Sequence, residues 1–475
     1  DEIKDLSRIR SISNKGFNLK NKEAIVSCKG FGKFQNWANR RKKLTADILQ
    51  YEKWLTIPKG IEKTCDLLLI RKALGGGKTQ ALIEYLKSVN HTALLIGYRN
   101  TLLYNTIDRA NKMGLSAQHI KEAKERIEGR YLNFAADDSI RLWGGCADSF
   151  FKFNAVINYQ PEYIVVHDEI CSVLGHLKGG GTLKGRQQQA IEWDVETINN
   201  SSFAIMMDAN LCDDDVEFLQ KVFPNKRIKV LDSISETKKR TFYFLETKSH
   251  KSDFSRDPKY LSSQLIDKAK KHDKVLWVSD SQGSCEDIDN ILSKLGDKHF
   301  RLDGKTSKDE VSKAFQSAPK EFIVSGNFDS VSLSPSGESG LSIDLYKHFD
   351  AVCFDIRGIV SVNTLIQLSA RLRDTNVPIY VACPEFVNIT ENLCPYALKK
   401  VDEVLAQRID LNAAIASRAD EELSLSEIWV KMCDEMKNFV KNPWFMSSLE
   451  DGQKLKYDHQ NLKLALKTAL AQYKN

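Results

Sequence analysis

Between about residues 65 and 385 the chain alternates short apolar runs with longer stretches in which apolar positions recur every three or four residues. Such runs, bounded by helical periodicity, predict buried strands joined by crossover helices, the pattern of a parallel sheet covered on both faces. In the first half the runs fall at 65–70, 93–96, 163–166 and 203–207. A polar, charged stretch at 233–240 interrupts the series, which resumes at 241–244, 275–278, 322–324, 351–354 and 379–382. The interruption predicts two α/β units in one chain, over residues 51–235 and 236–385. Past that point strand signals fade, and helical patterns at 423–440 and 462–473 predict a small helical region over 386–475. Ahead of the first unit, Leu44, Ile48, Leu49 and Tyr51 have helical spacing behind a basic stretch at 36–43, so residues 1–50 are expected to form a basic, helical extension.

Composition removes several classes. The chain has no long apolar run of membrane-spanning length and no leader with a charged start and an apolar middle, which predicts a soluble protein. The 10 cysteines stand singly, without a C-x-x-C pair or a histidine at ligand spacing, which speaks against a zinc site and for a reducing compartment. The formal net charge of +6 comes from 69 basic and 63 acidic residues spread along the chain, and it permits a polyanionic partner without requiring one. The first residue is Asp1 rather than Met, which leaves room for an upstream domain.

The chemistry begins at the first strand. Residues 67–70 run into Lys72, Ala73, Leu74, Gly75, Gly76, Gly77, Lys78 and Thr79, and a helical pattern follows from Ala81. A strand, a glycine-rich turn and a helix in that order make a phosphate cradle. Glycines let backbone N–H groups turn inward where a Cβ would clash, and the helix start adds unpaired N–H groups and the positive end of its dipole. Lys78 would then reach the β- and γ-phosphates as a point charge, and the Thr79 hydroxyl would hold Mg²⁺. The strict G-x-x-x-x-G-K-[ST] pattern fails at its first position, which is Lys72.

The strand at 163–166 leads into His167, Asp168 and Glu169. Asp168 at a strand end can hold Mg²⁺ through water, and Glu169 can orient and deprotonate an attacking water. In the second unit Gln367 and Arg371 share a helix face, with Arg373 just beyond; Arg371 is the first candidate to stabilise charge on a transferring phosphoryl group, with Arg373 open as the alternative. Nucleic-acid contacts are offered by Arg99, Asn100 and Thr101 after the strand at 93–96 and by Lys178, Lys184 and Arg186 in a glycine-rich loop at 178–186, while Ser149 in Cys146-Ala147-Asp148-Ser149-Phe150 is a candidate only through the resemblance given below. Each of these, taken alone, also suits a solvated surface turn.

Taken in order, these segments resemble the motifs of the superfamily 2 (DEAD/DEAH-like) helicases. The stretch from Lys72 to Thr79 is similar to motif I, whose first position is often not glycine. Asp168-Glu169-Ile170-Cys171 resembles motif II, with Cys171 where that group has Asp or His. Residues 94–102 look like motif Ia and residues 275–281 like motif IV. Gln367-Leu368-Ser369-Ala370-Arg371-Leu372-Arg373 resembles motif VI, with Ala370 in place of its glycine and the second arginine displaced to Arg373. Cys146-Ala147-Asp148-Ser149, then Met207-Asp208-Ala209-Asn210-Leu211, and then residues 334–344 with Gly340 and Asp344 at motif V spacing are most like the origin-binding replication helicases of plasmids, phages and herpes-type viruses.

The resemblance covers about residues 65–385. It implies an α/β fold of two RecA-like P-loop domains (parallel sheets flanked by helices) with ATP and Mg²⁺ between them, Gly340 and Asp344 touching the nucleotide. It further implies an ATP-dependent DNA helicase or translocase acting in replication. The partners would be single-stranded or duplex DNA, or RNA, together with other replication proteins, in the cytoplasm, nucleoid or a viral replication site. Cys171 and the irregular motif VI keep a second reading open, an initiator that binds nucleic acid and uses ATP as a switch without processive unwinding. A small-molecule kinase leaves the second α/β half unexplained.

Overall fold

The computed structural model describes residues 43–472 apart from 74, 123–124, 129–130, 135–138, 161, 180, 184, 235–239, 247–257, 296, 308, 336–340, 389–394, 398 and 401–440. The basic stretch at 36–42, the helical pattern at 423–440, Lys184 and Gly340 therefore lie outside the described residues.

The first unit runs β1 (Ile48–Gln50), β2 (Leu67–Lys72), α1 (Lys78–Ser88), β3 (Thr92–Gly97), α2 (Asn100–Lys112), β4 (Ala117–His119), a hairpin of β5 (Glu125–Glu128) and β6 (Tyr131–Phe134), β7 (Leu142–Cys146), α3 (Phe150–Tyr159), β8 (Tyr163–Asp168), α4 (Ile170–Gly179), α5 (Gln187–Asn200), β9 (Phe203–Asp208), α6 (Asp213–Val222) and β10 (Ile228–Ser233). Eight of the strands pair in parallel in the order β1-β10-β2-β9-β8-β3-β7-β4. The apolar runs explain the arrangement, because successive residues of a strand face opposite ways. Leu67 and Leu69 join one core with α3, α4, α5 and α6, while Leu68 and Ile70 join another with α1 and α2. A sheet apolar on both faces must be covered on both.

The second unit runs β11 (Phe242–Phe244), α7 (Pro258–Ala269), β12 (Val275–Ser279), α8 (Gln282–Leu295), β13 (His299–Leu302), α9 (Glu310–Ser317), α10 (Pro319–Gly326), β14 (Ser330–Leu333), β15 (Ala351–Asp355), α11 (Val362–Ser369) and β16 (Ile379–Ala382). Its six strands are parallel in the order β11-β16-β15-β12-β14-β13. The two helix-flanked parallel sheets are the two RecA-like domains.

After β16 the chain returns to the first domain before ending on the second. In α12 (Pro443–Gln460), Trp444 and Phe445 are buried in the first-domain core, Trp444 edge-on to Phe218 of α6 at 5.1 Å between centroids. Lys454 of α12 pairs with Asp214 at 2.9 Å. In α13 (Leu462–Gln472), Leu462, Ala465, Leu466, Ala469 and Leu470 are buried in the second-domain core. The C-terminal helices thus straddle both domains. Among the described residues no helix is long and apolar enough to cross a membrane.

Three local expectations are corrected. The residues at 322–324 read as a strand but lie inside α10, and the strand is β14. The helical spacing around Ile48 and Leu49 belongs to β1, whose partner β10 is too distant in sequence for a local pattern to reveal. The loop expected from 178 begins later, because Lys178 and Gly179 complete α4.

Candidate functional site

Because every strand of the first sheet is parallel, their carboxyl ends converge on one edge, where the crevice of an open α/β sheet lies. β9 lies between β2 and β8, so Asp208 at its end sits between the glycine loop after β2 and the acidic end of β8.

The glycine loop reaches α1 through Gly75 and Gly77, both at positive φ, +75° and +85°. Gly76 abuts the stem of Lys72, which a Cβ there would strike. Lys72, standing where the strict pattern wants glycine, is fully buried, and its ammonium donates to the Glu52 carbonyl at 2.8 Å and to Ser233 Oγ at 3.0 Å. Its charge is committed toward β1 and β10, and the departure leaves the loop intact. Lys78 donates to the Lys72 carbonyl at 3.3 Å. Lys78 and Thr79 open α1, whose N-cap, Gly77, supplies no side-chain bond, so the helix-start amides stay available to an anion. Beside the loop, the Leu55 amide donates to the Gly76 carbonyl at 3.0 Å, and the half-exposed Trp54 ring would meet a Cβ on Gly77 at 3.2 Å.

Three carboxylates gather opposite Lys78. Asp168 is buried, its Oδ1 has no hydrogen-bond partner, and burial followed by the neighbouring Glu169 charge pushes its pKa up to about 6. Glu169 holds φ at 61°, a left-handed conformation that costs a non-glycine residue roughly 1–2 kcal/mol and marks functional sites. Burial raises its pKa, opposed by the Lys78 charge. Asp208, fully buried and also raised chiefly by burial, accepts from the Cys171 amide at 3.0 Å and from the Asn210 amide at 2.7 Å. Asp208 therefore ties the start of α4 to the end of β9. In the sequence Asp208 belongs only to a motif-like segment, and its place at a strand end is the one signal of a role in the cluster.

The second domain closes on this cluster. Gln367, buried on α11, donates through Nε2 to Glu169 Oε2 at 3.3 Å. Arg371 donates to the Leu341 carbonyl at 3.0 Å, and its positive charge bears on Glu169. Arg373 lies nearer the glycine loop, where a Cβ on Gly75 would come within 2.7 Å of its Nη1. Its Nε donates to Ser342 Oγ at 2.7 Å and stands 3.9 Å from Asp344. Arg371 and Arg373 are thus divided between the Glu169 side and the glycine-loop side.

Of the nucleic-acid candidates, Arg99 is the N-cap of α2 and donates to the Pro335 carbonyl of the second domain at 2.9 Å. Asn100 accepts from the Cys146 thiol at 3.3 Å, which joins the end of β7 to the start of α2, and Thr101 is exposed on α2. Ser149 is buried beneath this edge rather than presented on it. Arg186 is exposed near Phe150 and Phe151. Lys178 is not free to meet phosphate, because its ammonium is held by Asp451 and by Ser447 Oγ at 2.9 Å.

Fold and cluster together define a class, a two-domain RecA-like protein whose P-loop faces an acidic strand end and arginines from the second domain. Residues 27–247, just under half of the chain, match the family model described as origin of replication binding protein. An uncharacterized protein of Picosynechococcus sp. is 26% identical over 360 residues, 72% of this chain and 34% of that protein. The chain therefore spans about a third of that curated relative's length. Solved structures it resembles include S. cerevisiae Dbp5 bound to RNA and ADP BeF3, at 14% identity and a TM-score of 0.46 over 68% of this chain and 82% of that one. Another is the Mycobacterium smegmatis helicase Lhr bound to ssDNA and AMP-PNP, at 14% identity and 0.45 over 74% and 46%.

Proposed function

We propose that this chain hydrolyses ATP in the cleft between its RecA-like domains and uses the cycle to move along or unwind nucleic acid during replication. The observation that carries the reading is the hydrogen bond from Gln367 of the second domain to Glu169 of the first. A group suited to activating water touches the partner domain directly, so chemistry at the phosphate and the spacing of the domains report on each other.

The polyphosphate would lie along the glycine loop, its charge met by Lys78 and the α1 amides, its base against the Trp54 face. The buried, unpartnered Oδ1 of Asp168 fits a cation, and Thr79 with Asp168 would hold Mg²⁺. When bound, Mg²⁺ neutralises phosphate charge. Among the described residues no cluster of three or more His, Cys, Asp and Glu forms a self-contained metal site, so phosphate and water would complete the shell. Glu169, with its proton affinity raised by burial, is suited to accept a proton from the attacking water, and Gln367 orients its carboxylate. Arg371 and Arg373 would stabilise the charge developing on the transferring group, with Asp344 and the Gly340 loop on the same side. Arg99, Asn100 and Thr101 would take backbone phosphate at the start of α2, and Arg186 would add charge farther along the edge.

Supporting the replication setting is the family match over residues 27–247. A strand-displacement assay tests the reading. Release of a labelled strand in proportion to ATP consumed is expected; tight binding with ATP-dependent release but no displacement would instead establish the switch. Neither binding nor displacement would remove both.

A further inference from the structure

On the same sheet edge, beyond the cleft, lies an aromatic group that nucleotide chemistry does not use. Phe151 in the first turn of α3 is 46% exposed, although a phenyl ring gains by burial. It is braced edge-on against Phe150 at 6.0 Å between centroids and 87° between planes. Phe150 in turn packs on Trp193, 6.0 Å away, which stacks on Phe153 at 5.7 Å. The outer ring is thus held by a rigid aromatic stack rather than left on a loose loop. The guanidinium carbon of Arg186 lies 5.9 Å from both the Phe150 and the Phe151 ring centres.

Lys152 follows Phe151 in α3. Lys121 and Lys152 both act on His119, and Lys121 also acts on Asp148. Asp148, the acidic group of this loop, is hydrogen-bonded to His176. The position follows from the topology. α3 begins just past the end of β7, β7 pairs with β3, and the Cys146 thiol donates to Asn100 at the start of α2, which follows β3. Phe151 therefore continues the edge on which Arg99 meets the second domain.

We propose that Phe151 is a stacking platform for an unpaired base of a single-stranded nucleic acid, with Arg186 as its cationic rim. The proposal rests on the nucleic-acid reading above and deepens it by naming the single strand as the form bound here. A duplex buries its base faces against one another, whereas a single strand leaves them free to stack on an aromatic ring, and such stacking tolerates any base. Arginine near the rings supplies both cation–π attraction and phosphate neutralisation.

The test compares fluorescence anisotropy titrations of a labelled oligothymidylate with those of an abasic strand of the same backbone. Phe151→Ala should weaken binding of the base-bearing strand roughly tenfold and leave the abasic strand nearly unchanged. Phe151→Trp should retain wild-type affinity. An oligouridylate arm separates DNA from RNA, since equal loss on both means that stacking alone is read. The proposal is overturned if Phe151→Ala binds the base-bearing strand as tightly as wild type, or loses affinity for both strands equally. If the wild-type chain binds neither strand, the nucleic-acid reading itself fails along with it.

Discussion

Replacing Asp168 by asparagine should stabilise the ligand-free protein while abolishing turnover. Asp168 is buried with an unpartnered oxygen beside Glu169, and its pKa moves from 3.8 to about 6. A carboxylate whose folded pKa is raised binds its proton longer in the native state. Relative to a neutral isostere it costs nothing below the unfolded value, and stability is lost as pH rises through the folded one. That rise corresponds to about 3 kcal/mol at pH 7.5, and to roughly half of that near pH 5, where the buried group is mostly protonated. Asp168→Asn removes this cost. In thermal unfolding with chelator and without nucleotide, the first-domain transition should rise by roughly 2–4 °C per kcal/mol, so by about 6–12 °C near neutral pH and about half as much at pH 5. Mg²⁺ with nucleotide should narrow the gap by stabilising wild type. A variant less stable than wild type, or a gain independent of pH, would refute the charge accounting.

Other consequences concern the reaction and the C-terminal helices. Glu169→Gln should preserve nucleotide binding and lower hydrolysis by about 10²–10⁴-fold, since the shape survives and the base does not; wild-type turnover would exclude the role. Arg371→Ala and Arg373→Ala should both slow turnover, but only Arg373→Ala should also weaken nucleotide affinity, because Arg373 stands against Gly75. Equilibrium binding of a fluorescent ATP analogue beside steady-state rates separates the two. Trp444→Ala should cost about 3–5 kcal/mol in chemical denaturation by emptying the α12 contact on Phe218, and an unchanged midpoint would contradict that anchoring.

Much of the fold was legible because the apolar runs are strong and local. β2, β3, β8 and β9 fall on runs at 65–70, 93–96, 163–166 and 203–207, and each is buried throughout or nearly so. Misreadings came where local pattern and tertiary setting part. The run Phe322-Ile323-Val324 is too short to distinguish strand from helix, and Pro319 at the first turn favours the helix. β14, with sequence Ser-Val-Ser-Leu, looks half polar, yet all four residues are buried because Ser330 and Ser332 hydrogen-bond His299 on β13 at 2.6 and 2.9 Å. No apolar pattern announces such a strand.

Of the candidate site, the residue types could be read, but not their partners. Lys72 broke the expected motif on paper, and only the Glu52 and Ser233 bonds explain why the loop tolerates it. Lys178 looked available to phosphate, but its charge is paired with Asp451, far along the chain. Asp208 entered as part of a motif and emerged beside Lys78 and Glu169, because strand order rather than sequence order sets that neighbourhood. The helical pattern of the C-terminal region was visible as well, whereas the division of α12 and α13 between two cores was not.

The most direct test of the central claim is ATP hydrolysis measured without nucleic acid, with single-stranded DNA and with RNA, alongside Lys78→Ala. The account predicts turnover strongly stimulated by at least one polymer and lost in Lys78→Ala, because the phosphate charge then loses the Lys78 ammonium and keeps only the α1 amides. Turnover indifferent to both polymers, or retained in Lys78→Ala, would contradict it.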